Sequence, residues 1–241
     1  MIRKLIPASI KRKMRIAQRN RADYKSGLNK NFAQKASKPV SEIEVLTIEQ
    51  PIYYNPLAAN KVFNIELAIK EIEQVVIQPG QVFSFWHTVG NPTQEKGYKT
   101  GRNIIGDSLK EDIGGGLCQV SGIIYHLALT AGMEIVERHN HTLDLYEENK
   151  RYTPLGADAT VVFGYKDIRF RNTTSSPIYL SFSVSENNFI GTICSQESIV
   201  PFELKFVRAE FERYRTIETY RINEKGQSVL INKSKYLLKR C

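Results

Sequence analysis

The amino-acid sequence predicts an α+β protein with an antiparallel sheet. Three observations support this class: all helix patterns lie in the first 131 residues, alternating strand patterns dominate the remainder, and turn residues separate those strands at short intervals. With 241 residues, of which 41% are hydrophobic, the chain can bury a sizeable core. The further expectation is a helix packed on this sheet with a cysteine at its N-terminus.

A basic arm precedes the body of the chain. Residues 1–30 hold ten Lys and Arg residues and one acidic residue. Subtracting them from the totals of 34 basic and 25 acidic residues leaves 24 of each over residues 31–241, so the body is neutral. Nucleic-acid binding usually needs a basic surface spread over a domain, so we expect none here.

A helix is predicted within this arm. Pro7 suits a first helical position, and Ile10, Met14 and Ala17 then recur at helical spacing among Lys and Arg residues. Such a helix can lie on an anionic membrane surface or on an acidic partner. It can equally be a solvated basic helix that packs on its own body through a thin apolar stripe. Both readings remain open.

The same region bears on the protein's location. The arm lacks the apolar core of a secretory signal, and no stretch approaches 18 consecutive apolar residues. We therefore expect a cytoplasmic protein, peripheral at the inner membrane face if the arm binds lipid. The three cysteines, Cys118, Cys194 and Cys241, are then expected to be reduced. None forms a Cys-x-x-Cys pair, so we expect no metal and no cofactor.

The first half of the body predicts two strands, one helix and a long loop. The strands are residues 42–54 and 82–86, and the helix is residues 59–76 with Asn60 as its cap. Residues 90–113 are rich in Gly, Lys and Asn and predict a long ordered loop. We expect residues 1–40 to form the arm and residues 41–241 to form a single domain.

The second half predicts a helix followed by strands. The helix spans residues 118–131 and ends at Gly132. Strands are expected at residues 133–141 and 159–163, as a hairpin at 167–184 that turns around residues 172–177, and through the last forty residues with a turn at 224–227.

One short stretch, "GGGLCQVS", carries the chemistry. Cys118 follows Gly114, Gly115 and Gly116 at the start of the predicted helix. A helix N-terminus stabilises a thiolate and lowers its pKa. The glycines let backbone approach a substrate closely and can supply N–H donors to an oxyanion, and Gln119 could add its N–H or its side-chain amide.

A base and an orienting group follow in chain order. Arg138, His139 and His141 end the next strand, where both histidines would point to one face, and Asp158 opens the strand after it. A nucleophilic cysteine needs such a base, and the base needs a group that orients it. The order Cys on a helix, His on a strand and Asp on a strand resembles the core of transglutaminase-like and arylamine N-acetyltransferase-like enzymes.

Two other readings of these residues stay open. A lone cysteine is most often a small buried hydrophobic residue, and glycines before a helix often serve only a tight turn. A metal site made from Cys118, His139, His141 and Asp158 is the second alternative, although no further cluster completes it.

Five stretches together resemble the VanW family over roughly residues 60–182. They are "VFSFWHTVG", "GGGLCQVS", "ERHNH", "GADATV" and "GYKDIRFRNTT". The resemblance places family motif positions on the three glycines, Cys118, Gln119, Arg138, His141 and Asp158. His139 lies where the family pattern is looser, so His141 is the expected base. His139 and Arg138 are expected, with the three glycines and Gln119, to bind the substrate or its oxyanion.

The resemblance also implies a role in glycopeptide (vancomycin) resistance and in cell-wall precursor metabolism. Together with the residues above it predicts a Cys-His-Asp acyl transferase or amidase that acts on a wall precursor or another peptide-like amide. In this prediction Cys118 attacks, His141 is the base and Asp158 orients it. The alternative is a non-catalytic binding or scaffold module that recognises a wall precursor or a partner enzyme.

Overall fold

A computed structural model describes residues 7–37, 43–53, 56–105, 108–144 and 146–238, so Cys241 lies outside the described residues. Four α-helices are present in these ranges: α1 Ala8–Lys25, α2 Ala58–Ile72, α3 Phe85–Val89 and α4 Leu117–Thr130. Short 3₁₀ helices occur at Leu28–Lys30, Gln94–Lys96 and Glu148–Lys150. The predicted α+β class is confirmed.

Fourteen strands are described. They are β1 Gln34–Lys35, β2 Ile43–Pro51, β3 Val75–Ile77, β4 Val82–Ser84, β5 Thr100–Ile105, β6 Ser108–Ile113, β7 Glu134–Glu137, β8 Leu143–Asp144, β9 Arg169–Arg171, β10 Ile178–Val184, β11 Asn188–Ser195, β12 Glu203–Glu210, β13 Tyr214–Ile222 and β14 Ser228–Leu238.

The strands form several small sheets rather than one. Their orders are β1-β3-β10-β11-β2, β12-β13-β14-β8, β4-β9-β7 and β5-β6. Nearly every pairing of named strands is antiparallel, and the parallel exception is β14 with β8. The expectation of one antiparallel sheet is therefore replaced by four.

Helix α4 is the centre of the core. It packs against α2, β2 and β11, and eleven of its fourteen residues are buried. Ile123 and Leu127 pack against β11 at Gly191. A Cβ at this position would lie 3.1 Å from each of the two side chains. Burial on all sides explains why the segment lacks a polar face, and it fixes the direction in which the helix N-terminus points.

Several predicted elements differ in the structure. The predicted helix 59–76 is too long at its C-terminal end, because α2 ends at Ile72 and β3 begins at Val75. Asn60 does not cap α2; its Nδ2 donates to the Thr100 carbonyl at 2.9 Å. The predicted loop 90–113 contains the β5–β6 hairpin. The predicted strand 82–86 ends at Ser84, whose Oγ accepts from the His87 N–H and caps α3.

Two strand predictions after α4 are also wrong. Residues 159–163 form no strand, because the Ala159 carbonyl accepts from Ser121 Oγ and the Thr160 N–H donates to the His139 carbonyl. The segments β9 and β10 do not form a hairpin and belong to different sheets. Asn172 explains this, since its Nδ2 binds the carbonyls of Ile77 and Ser176 and redirects the chain.

Helix α1 docks on the body through polar side chains. Arg19 pairs with Glu137 at 2.7 Å, Asp23 pairs with Arg169 at 2.8 Å, and the Arg15 guanidinium lies over the ring of Tyr165. Ile16 also packs on Gly164. The stripe of Ile10, Met14 and Ala17, which one of the two open readings packed on the body, faces solvent, with Ile10 49% and Met14 50% exposed. None of the helices in the described part of the chain is long and apolar enough to cross a membrane.

Candidate functional site

The three glycines form the turn that starts α4. Gly114 and Gly116 have φ angles of 81° and 106°, a region that side chains disfavour. A Cβ at Gly115 would lie 2.4 Å from the backbone of Gly101. The turn can therefore be built only if all three positions are glycine, and it places Cys118 in the first turn of α4.

The N-terminus of α4 offers one open backbone donor. The N–H of Leu117 donates to the Gly114 carbonyl, and the N–H of Gln119 donates to the Gly116 carbonyl at 2.9 Å. Among the described residues, no acceptor is recorded for the N–H of Cys118. This donor belongs to the residue that carries the thiol, which is the usual geometry of an oxyanion-binding N–H.

His141 and Asp158 form a tight buried pair. The His141 Nδ1 lies 2.8 Å from Asp158 Oδ2, and the His141 backbone N–H donates to the same oxygen at 2.9 Å. Both residues are less than 9% exposed. With Nδ1 held by the carboxylate, Nε2 is the ring nitrogen that remains for another partner.

Cys118 is that partner. The Cys118 thiol and the His141 ring interact closely enough that each shifts the pKa of the other, and Thr160 Oγ1 lies 3.5 Å from the sulfur. Burial raises the pKa of the Cys118 thiol, but the interaction with His141 outweighs it, so the pKa is lowered. Burial lowers the pKa of His141, but Asp158 and Cys118 outweigh it, so this pKa is raised. Both shifts favour a thiolate–imidazolium pair.

Asp158 is itself held ionised. Burial raises the pKa of its carboxyl, but the Arg138 guanidinium and the His141 hydrogen bond bring it well below the usual range. Arg138 Nη2 lies 2.9 Å and the Tyr236 hydroxyl 2.5 Å from Asp158 Oδ1. Tyr236 belongs to β14, so the final sheet contributes to the site.

Three of the predicted site residues lie away from the thiol. His139 Nε2 binds Glu137 at 3.0 Å, and β7 ends at Glu137, so the two histidines do not share one strand face. The side chain of Arg138 is only 5% exposed and supports Asp158. Gln119 Nε2 donates to the Pro51 carbonyl, which directs that amide away from an oxyanion.

A cleft gives access to the thiol. Its volume is about 760 Å³, and both Cys118 and His141 line it, together with Trp86, Pro92 and Phe163. Cys118 as a residue is only partly buried. A volume of this size accommodates a ligand as large as a short peptide.

The geometry disfavours the metal alternative. Each of Cys118, His139, His141 and Asp158 is occupied by a protein partner, and the two histidines bind different carboxylates. Among the described residues, no group of three or more His, Cys, Asp or Glu side chains is arranged to hold a metal ion.

Sequence reasoning missed Thr160 and Tyr236. Thr160 lies inside "GADATV", where its neighbour Asp158 already marked the motif, so its hydroxyl beside the sulfur could have been proposed. Tyr236 carries no local signal, because an aromatic residue in an alternating strand is ordinary. Its role arises from the parallel pairing of β14 with β8, which lies close to His141 in the chain.

The fold and site define an α+β protein with a Cys-His-Asp cluster at a helix N-terminus inside a cleft. A family model described as VanW like protein matches residues 60–194, more than half of the chain and a range that includes all three residues. The chain therefore belongs to the VanW family.

Two curated relatives are similar to this chain. An uncharacterized protein, YoaR, from Bacillus subtilis (strain 168) is 37% identical over 147 residues, which are 61% of this chain and 47% of that protein. The vancomycin B-type resistance protein VanW from Enterococcus faecalis (strain ATCC 700802 / V583) is 31% identical over 134 residues, 56% of this chain and 49% of that protein. The matches thus span about half the length of these relatives. No solved structure matches the chain significantly.

Proposed function

We propose that this protein is a cysteine-dependent acyl transferase or amide hydrolase. The observation that carries the proposal is the series Cys118–His141–Asp158, in which His141 hydrogen-bonds Asp158 and interacts with Cys118, a residue that lines a cleft. A nucleophile joined to a base, which is in turn joined to an orienting carboxylate, is the arrangement that covalent acyl transfer requires.

The proposed chemistry has two steps. The Cys118 thiolate attacks the amide carbonyl carbon, and the carbonyl electron pair moves to oxygen, where the Cys118 N–H stabilises it. The oxyanion then re-forms the carbonyl and the C–N bond breaks, while His141 gives its proton to the departing amine. Water or an acceptor amine next attacks the thioester and returns its proton to His141, which releases the thiolate.

The alternative is a non-catalytic binding or scaffold module. A fully enclosed sulfur without an imidazole neighbour would favour it. Here Cys118 is partly exposed and interacts with His141, whose Nδ1 binds a carboxylate. A recognition surface has no need for this series of buried charged groups, which favours the enzyme.

The substrate class is a further part of the proposal. One relative is named a vancomycin B-type resistance protein, and that name supports a role linked to glycopeptide resistance and cell-wall precursors. A wall precursor contains peptide-like amides, which are the bonds that the proposed mechanism attacks. We also retain the transglutaminase-like comparison as a proposal that rests on the chain order of helix Cys118, His141 and Asp158 alone.

A pH profile of thiol labelling tests this function. Iodoacetamide is reacted with the protein across pH, and modification of Cys118 is followed by site-resolved mass spectrometry. We expect a midpoint below the unperturbed cysteine value of about 8.5, and a higher midpoint in His141→Ala. His139→Ala is the matched control and should leave the midpoint unchanged. A wild-type midpoint at or above about 8.5, or equal midpoints in His141→Ala and wild type, would overturn the proposal.

We further propose that the protein acts in the cytoplasm and contacts an anionic membrane surface through α1. Support comes from the outward direction of Ile10, Met14 and Ala17 and from the exposed Lys and Arg residues beside them. An apolar stripe flanked by cations is the pattern of an interfacial helix.

A further inference from the structure

Helix α1 contributes a wall to the cleft that holds the thiol. Arg12 lines this cleft, and so does Lys166, which lies between Thr160 and β9 in the chain. The Cγ atom of Arg12 lies 3.5 Å from the position that a Cβ on Gly164 would take, which fixes the root of its side chain on that turn. Two cations from distant parts of the sequence thus line the cleft that Cys118 also lines.

Within the described part of the chain, Arg12 and Lys166 lack the acidic partners that Arg19 and Arg169 have. On the same face of α1, Arg19 pairs with Glu137, and Arg15 lies over the Tyr165 ring. Arg169, near Lys166 in the chain, pairs with Asp23 and Asp167. Among the described residues, no carboxylate forms an ion pair with Arg12 or Lys166. A cleft lined by two cations that have no acidic partner favours an anionic ligand.

We infer that Arg12 and Lys166 form a subsite for a carboxylate of the substrate. The inference rests on the proposed function of the cleft and narrows its substrate class to peptide-like amides that carry a carboxylate near the reacting bond. A guanidinium presents a planar pair of donors that matches a carboxylate, and the lysine adds a point charge. The acidic residues of the cleft, Glu95 and Asp112, belong to other wall segments.

The inference gives α1 a defined role. Its polar docking through Arg19 and Asp23 holds Arg12 at the cleft rather than in free solvent. Arg12 lies outside the range 60–194 matched by the family model and Lys166 lies inside it, so the subsite combines a residue of α1 with a residue of the family core. In the sequence, the basic arm was the signal for this subsite. One of its cations lines the cleft, others dock α1 on the body and others face outward.

Two alkylating reagents of nearly equal size test the subsite. The Cys118 thiolate displaces iodide from either reagent and forms an S–CH₂ bond, gaining a carboxymethyl group from iodoacetate or a carbamoylmethyl group from iodoacetamide. Only iodoacetate carries a carboxylate. We expect Arg12→Gln and Lys166→Gln each to lower the ratio of the iodoacetate rate to the iodoacetamide rate by about two- to threefold. Arg12→Lys should retain most of the ratio. Arg21→Gln removes the same charge from an exposed position that does not line the cleft and should leave the ratio unchanged.

The test of the subsite is independent of the test of the proposed function. Both rates are measured at one pH, so a change in the thiol pKa cancels from the ratio, whereas the nucleophile is tested by the labelling midpoint. An unchanged ratio in both Arg12→Gln and Lys166→Gln would overturn the subsite, as would an equal fall in Arg21→Gln. Thermal unfolding of each variant confirms that the fold persists, which is expected because Arg12 is exposed.

Discussion

Asp158 links the residues of the site, because its two carboxylate oxygens accept four hydrogen bonds. Oδ2 accepts from the His141 ring and backbone, while Oδ1 accepts from Arg138 and Tyr236. A buried carboxylate with this many donors stays ionised, and its charge in turn keeps a proton on His141. The imidazolium then stabilises the Cys118 thiolate.

Replacing this carboxylate should reverse the series of pKa shifts. In Asp158→Asn the negative charge is lost, so burial dominates and the pKa of His141 falls. The thiolate then loses its cationic partner, and the pKa of Cys118 rises. We expect the pH midpoint of Cys118 labelling to move upward, as in His141→Ala. Asp167→Asn, which alters a buried carboxylate outside the cluster, is the control. An unmoved midpoint in folded Asp158→Asn would contradict this account.

Tyr236 should act as a positioning residue for Asp158. Its hydroxyl donates to the carboxylate, and Tyr236→Phe removes only that oxygen. Loss of a hydrogen bond to a buried charged group is expected to lower the free energy of unfolding by about 1.5–3 kcal/mol. It should also raise the labelling midpoint of Cys118, an effect that a purely structural role would not produce.

The matched control for this variant is Tyr220→Phe, since the Tyr220 hydroxyl binds Glu218 far from the thiol. Stability is measured by denaturant unfolding and the midpoint by site-resolved labelling. A stability loss in Tyr236→Phe with an unchanged midpoint would show that the tyrosine serves only the fold.

At this scale the sequence predicted the central triad but not its surroundings. Cys118, His141 and Asp158 stand out because a thiol, an imidazole and a carboxylate occur in order around glycines. Tyr236 could not be found, because its position depends on a pairing between β14 and β8 that spans more than ninety residues. Gln119 and Arg138 were assigned to substrate or oxyanion binding from motif position, and their partners in space give them structural roles.

Among the elements, α4 and its glycine turn decide where the thiol lies. The helix was predictable because fourteen residues with a clear stop at Gly132 form a strong local pattern. The segments 159–163 and 167–184 were not, since side chains of Ser121 and Asn172 take backbone partners that a strand would have used. Apolar alternation marks burial there without specifying a strand.

Two glycines of this region should respond in opposite ways to alanine. In Gly115→Ala the new Cβ would lie 2.4 Å from the Gly101 backbone, so the turn must move. In Gly122→Ala, inside α4, the nearest atom is 3.8 Å away. We expect the first change to lower stability by about 1–3 kcal/mol, and the second to be neutral or to stabilise by up to about 1 kcal/mol. Denaturant unfolding measures both.

The same pair separates packing from chemistry. Gly115→Ala shifts the turn that aims the Cys118 N–H, so the labelling midpoint should move together with stability. Gly122→Ala should leave the midpoint in place. Equal stability in the two variants would mean that the turn can relax without strain, contrary to the close contact with Gly101.

Three parts of the chain contribute to the cleft or to the buried groups that contact His141. The family core supplies Cys118, His141 and Asp158, the final sheet supplies Tyr236, which binds Asp158, and α1 supplies Arg12. The excess positive charge of residues 1–30 was clear from composition. Composition did not show which of these cations line the cleft, which dock α1 on the body and which face outward. Only the packing of α1 through Arg19 and Asp23 determines which cations face the cleft and which face outward.

The outward face of α1 should bind anionic vesicles weakly and release them as salt rises. Lys13 and Arg21 are exposed beside Met14, and each cation near an anionic leaflet contributes about 1 kcal/mol. The double variant Lys13→Glu, Arg21→Glu should therefore lower the partition constant on vesicles with anionic lipid by tenfold or more, on the order of 1 kcal/mol per lost cation. Co-sedimentation at several salt concentrations measures this, because screening acts within about 8 Å at physiological ionic strength.

Lys225→Glu, on the exposed turn between β13 and β14, is the control. Binding that ignores salt, or that falls equally in the control, would contradict a membrane role for α1 and leave it a docked helix whose cations serve the cleft.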